Sequence, residues 1–147
     1  MKKILLACLI LSVLLLSSCR ATNHSSLIRA LERGGFEPQY VESFDAADGG
    51  GIYAPVRHYR LNNAHAFSVY TFESAQARRQ EATRVSSSGS TVGPVEITWM
   101  CTPHWFGNGT IIVLYVGCDE DLIDFLTSTL GAPFAGGDEN HQGCGQC

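Results

Sequence analysis

The chain has 147 residues, 45% of them apolar, with 10 basic and 14 acidic side chains and a formal charge of −4. Apolar content on this scale supports one core and excludes a disordered tether. Both lysines lie in the first three residues, so the remainder sets eight arginines against fourteen acids, a charge near −6; that argues against nucleic-acid partners and excludes lysine-dependent chemistry.

The first segment reads as an export signal. Met1-Lys2-Lys3 is followed by an apolar run from Ile4 to Leu16, then by small residues and a cysteine. Thirteen residues are too few for a membrane span, which needs about 20. Leu16-Ser17-Ser18-Cys19 resembles the lipobox of bacterial lipoproteins. The resemblance implies a diacylglycerol on the Cys19 thiol, cleavage just before it, and a further acyl chain, typically palmitate, on the new amino group. Two or more chains make a lasting anchor. Arg20 stands where an aspartate would imply retention at the inner membrane. The resemblance therefore implies the outer membrane where the organism has one, and otherwise the outer face of the cytoplasmic membrane. Residues 1–18 are expected to be signal, 19–26 a lipidated tether, 27–135 one domain, and 136–147 a flexible tail rich in glycine and cysteine.

Within the domain, Leu27-Ile28-x-x-Leu31 predicts a short helix capped by Ser25 or Ser26 and stopped by Gly34-Gly35. Phe36 to Phe44 suits an edge strand. Pro55 to Leu61 and Ala64 to Phe72 alternate as two strands, joined by a tight turn on Asn62-Asn63. Ser74 is placed to cap a helix over residues 75–85. Val95 to Trp105 and Ile111 to Cys118 form a second hairpin, and IIVLYVG reads as a buried central strand. Asp119 to Leu130 is a helix with acids in its first turn, stopped by Gly131 and Pro133. The order αβββαββα predicts an α+β fold: an antiparallel sheet of about five strands with helices packed on one face.

Phe67-Ser-Val-Tyr-Thr-Phe before an alanine-rich helix, Pro103-His104-Trp105-Phe106, Ile111-Ile-Val-Leu-Tyr-Val-Gly, Leu130-Gly131 and Phe134-Ala135-Gly136 resemble a family of small uncharacterised bacterial lipoproteins. The likeness runs from about Leu27 to Gly136. It implies one compact exported domain and transfers no active site. The cysteines at 101, 118, 144 and 147 lie outside its pattern.

Four cysteines remain after the signal and Cys19, and four allow three pairings. A two-residue turn on Gly109-Thr110 sets Asn108 against Ile111, Pro103 against Val116 and Cys101 against Cys118. Pro103 then falls in a non-hydrogen-bonded slot, and Cys101–Cys118 becomes the expected structural disulfide. The same register puts Trp99, Trp105, Leu114 and Val116 on the core face and His104 on the opposite one. In the tail, His141-x-x-Cys144-x-x-Cys147 has the spacing of a zinc or copper site, with Asp138 or Glu139 as a further ligand. A second disulfide or a thiol-exchange pair is the alternative reading.

No Gly-x-Ser-x-Gly elbow, His-Glu-x-x-His or phosphate loop occurs. No catalytic residue is assigned, and the enzyme question leans to no. His104 is one candidate for ligand binding. Arg60 facing His65 across the Asn62-Asn63 turn, with His58 diagonal, is another and suits an anion. The expectation is a lipid-anchored envelope module, non-catalytic, held to the membrane through Cys19 and binding an envelope protein or a small ligand. A metal-binding envelope protein using the tail is the alternative.

Overall fold

The computed structural model describes residues 22–45, 51–62 and 64–137. The signal segment, Cys19, and the tail residues His141, Cys144 and Cys147 lie outside the described residues. The fold is α+β. Its helices are α1 (His24–Arg33), α2 (Ala75–Ala82) and α3 (Glu120–Leu130). Strands β1 (Pro38–Phe44), β2 (Val56–Leu61), β3 (His65–Thr71), β6 (Pro103–Asn108), β7 (Ile111–Val116) and β8 (Ala135–Gly136) form one antiparallel sheet in the order β1-β2-β3-β7-β6-β8. A separate two-stranded ribbon pairs β4 (Thr91–Val92) with β5 (Val95–Glu96).

The helices start where side chains can satisfy unpaired backbone donors. Asn23, rather than Ser25 or Ser26, caps α1. Its side chain accepts from Ser26 N at 2.9 Å while Ser26 Oγ accepts from Asn23 N at 2.9 Å, a reciprocal capping box. Ser74 accepts from Ala77 N for α2, and Asp119 accepts from Leu122 N at 2.8 Å for α3. Gly131, at φ +92°, ends α3 as expected.

The two hairpins treat register differently. In β6–β7, Asn108 faces Ile111 and Pro103 faces Val116, the expected register. Gly109 takes φ +51°, the conformation its turn position demands. A Cβ there would also run into the Thr22 backbone, whose carbonyl accepts from Thr110 N at 3.0 Å. In β2–β3, Leu61 pairs with His65 and Arg60 with Ala66. The turn therefore spans residues 62–64, one longer than expected, with Asn62 at φ +49°. A one-residue slip reverses every side chain beyond it. His65 thus lies on the opposite face of the sheet from His58 and Arg60.

The edge strand β1 is largely exposed, while the centre of the sheet is buried on both faces. On one, Leu27 and Leu31 of α1 and Leu122, Leu126 and Leu130 of α3 pack on Tyr59, Phe67, Val69, Phe106, Val113 and Tyr115. Each buried leucine contributes about 1.5–3 kcal/mol. On the other, Tyr70, Trp105, Ile112 and Leu114 pack with Ile52, Val85, Val92 and the end of α2 at Ala82. A single core face was expected for the β6–β7 hairpin; both of its faces carry core.

Two strand boundaries also differ from expectation. Only Val95 and Glu96 of the segment 95–102 are in a strand, and they pair with β4; the sheet strand begins at Pro103. The sheet continues to Gly136, one residue into the segment expected to be tail.

Every residue of both clusters lies between Leu27 and Ala135, so a chain beginning at Arg20 retains the whole core. That chain is expected to melt in one cooperative transition followed by circular dichroism. Gly109→Ala should lower its midpoint by several degrees, a cost of about 1–2 kcal/mol for a Cβ at positive φ against the Thr22 backbone.

Candidate functional site

The face carrying Trp105 is covered by short segments rather than long helices, and a groove of about 450 Å³ remains on it. Its floor is Tyr70 of β3, Leu114 and Val116 of β7, and Trp105 of β6. Val95, Ile97 and Trp99, from the stretch that leaves the sheet, line it as well. The volume lies within the roughly 300–1,000 Å³ typical of small-molecule sites.

One backbone carbonyl orders the aromatic wall. Gly89 O accepts from Trp99 Nε1 at 2.9 Å and from Trp105 Nε1 at 3.2 Å. Gly89 has φ +72°, and a Cβ there would lie 2.8 Å from the Trp105 ring. Only glycine lets the loop approach this closely. The indoles meet edge to face with centroids 6.3 Å apart, and Tyr70 stacks on Trp105 at 6.2 Å. Burial pushes the Tyr70 phenol up to about 12, so this wall stays neutral.

At one end the groove turns polar. His58 Nδ1 and Ser68 Oγ are 2.8 Å apart, and both residues line the groove. Phe44 meets the His58 ring edge-on at 5.6 Å. Arg60, exposed, follows two residues later on the same face, opposite the groove residue Ala66. Among the described residues, His58 Nε2 has no hydrogen-bond partner and Arg60 no ion pair. A serine bonded to a histidine has the outline of a nucleophile and its base. Here the pair sits mid-strand, on backbone committed to sheet pairing on both sides. Among the described residues, no carboxylate is bonded to His58.

The other predicted residues form a second cluster on the opposite face. Tyr115 OH lies 3.4 Å from His65 Nδ1 and accepts from Asp119 N at 3.2 Å. His65 Nε2 is 3.4 Å from Asp119 Oδ2. Gly117 makes room, since a Cβ there would strike the Tyr115 phenol. His104 stacks on Tyr115 at 5.9 Å and donates from Nε2 to Gly117 O at 3.0 Å. An opening of about 430 Å³ borders His65, Tyr115, Cys118 and Asp119. With one Asp119 oxygen on the α3 cap and the other toward His65, this cluster ties β3 and β7 to the start of α3.

His104 is therefore buried under the helices, on the face opposite Trp105 as its register implies. The expected group of Arg60, His65 and His58 is divided: His58 and Arg60 flank the groove, and His65 joins Tyr115. The Cys101–Cys118 site lies just beyond the last paired residues of the hairpin. Pairing stops at Pro103 and Val116, the Gly117 carbonyl is taken by His104, and the chain turns at Asp119 into α3.

Sequence reasoning missed the groove itself, whose signal was faint. The chain's two tryptophans, both in the β6–β7 region, stood near a serine- and glycine-rich loop. A larger depression of about 690 Å³ lies beside α1, among Arg29, Glu32 and Arg33, and touches no predicted site residue. Among the described residues, no cluster of three His, Cys, Asp or Glu side chains is placed to hold a metal, and no helix is long and apolar enough to cross a membrane. In comparisons with protein-family models, curated proteins and solved structures, nothing matches the chain.

Burial holds His104 below its ordinary value of 6.5, with the Gly117 bond opposing in part, and burial followed by the Arg57 charge lowers His24. A group depressed on folding binds protons more readily when unfolded. Its stabilisation is complete above 6.5 and is lost as pH falls from there toward the folded value. The thermal midpoint should thus drop between about pH 7 and about pH 5. His104→Gln, which keeps a donor for Gly117, should flatten part of that slope in a series of melts.

Proposed function

We propose that this chain is a lipid-anchored module of the cell envelope, tethered through Cys19, that binds a small apolar ligand without turning it over. The observation that carries the reading is the groove under Trp99 and Trp105, apolar along its length and polar at one end. Ligand sites commonly combine such apolar walls with a few placed polar groups. Both tryptophans being pinned to one carbonyl supports a preformed site, since a rigid wall lowers the ordering cost of binding. The Leu16-Ser17-Ser18-Cys19 motif supports the anchor. No resident cofactor is part of the reading.

Because Trp99 and Trp105 are the only tryptophans of the chain, intrinsic fluorescence reports on the groove alone. Titration of the chain beginning at Arg20 with octanol is expected to shift and saturate the emission. Ile97→Asp, in the non-strand wall, should abolish saturation and, because Ile97 also packs against the core, lower the midpoint while leaving one cooperative melt. An emission that never saturates in the folded parent would defeat the groove as a binding site. For the anchor, the full-length chain should incorporate labelled palmitate in a bacterial host, and Cys19→Ser should lose the label.

A further inference from the structure

The polar end of the groove identifies the class of ligand, and we infer that it is a straight-chain carboxylic acid, its alkyl chain along Trp99, Trp105 and Leu114 and its carboxylate at His58 and Arg60. This deepens the reading above and rests on it. The groove presents mainly apolar surface, so most of a ligand's contact must be hydrocarbon. An unbranched chain suits a trough open along one side.

The head is specified by donors. When Ser68 Oγ–H donates to His58 Nδ1, the neutral ring carries its proton on Nε2, the nitrogen with no partner among the described residues. Protonation of the ring would place the second proton on Nδ1, so Nε2 is a donor in that state too. The neighbouring charge of the same kind is Arg60, exposed and without an ion pair among the described residues. A guanidinium fork with an imidazole N–H is matched by a carboxylate, which only accepts. An alcohol head satisfies one donor at most, and an ammonium head meets Arg60 with like charge.

One group opposes this assignment. Glu42 of β1 is the strand partner of His58, shares its face and is exposed. It competes with a ligand carboxylate for the same donors and repels it. Its position makes the proposal directional, because removing Glu42 should tighten the binding of an acid and leave that of an alcohol unchanged. Removing Arg60 should do the reverse for the acid.

The test is tryptophan fluorescence titration of the chain beginning at Arg20, with octanoate and octanol at neutral pH and low salt. Octanoate is expected to bind about fivefold to tenfold more tightly than octanol, the order of one partly screened charge-assisted pair. Arg60→Gln should remove most of that preference, and Glu42→Gln should enlarge it about twofold to threefold. Both positions are exposed, so neither variant should disturb folding. Equal binding of the two probes would overturn the carboxylate assignment while leaving the groove intact. A preference for octanoate that neither substitution alters would overturn its placement at His58 and Arg60. Failure of both probes to bind would overturn the groove reading itself.

Discussion

Strand β7 is apolar at every position from Ile111 to Val116 because it has no solvent face. It lies between β3 and β6, and its side chains alternate between two separate cores. Ile111, Val113 and Tyr115 go under α1 and α3, while Ile112 and Leu114 meet Trp105 and Tyr70. An antiparallel sheet with one wet face would have shown polar residues at every second position. Both coverings of the sheet, and the groove between one of them and the strands, follow from this two-sided demand.

The two coverings are unequal in kind. Helices α1 and α3 present leucines at helical spacing, Leu27 with Leu31 and Leu122 with Leu126 and Leu130, and these cover one face. The other face is closed by the short α2, which has no fully buried residue, by the β4–β5 ribbon, and by the irregular stretch through Trp99. Short segments leave space where a helix would interdigitate. What keeps that space from collapsing is a hydrogen-bonded frame, two indoles on the Gly89 carbonyl. The groove is thus a product of weak coverage combined with rigid aromatic walls.

Much of the fold was legible. The capping residue Ser74, the acids opening α3, the stop at Gly131, and the Gly109-Thr110 turn with Pro103 opposite Val116 all stand as the residues imply. In each case one residue type is selected by local backbone chemistry: a short side-chain oxygen, a positive φ, a missing N–H. The Asn62-Asn63 turn shows the limit. Asparagine tolerates positive φ in turns of two or three residues alike, and the difference of one residue decided which face received His65. The site suffered most from this, since its candidate trio depended on that register.

The residues alone determined the class of fold, the central strand, the start of α2, the end of α3 and the chemistry open to the chain, because these depend on periodicity and on preferences within a few bonds. Tertiary structure alone decided which side chains share a face and where space remains. It buried His104 against Tyr115, sent His65 to Asp119, left His58 and Arg60 beside a groove, and ended the ladder short of Cys101 and Cys118. The physical reason is that a face assignment inverts with a single residue of register, and a cavity is set by the misfit between coverings that are distant in the chain.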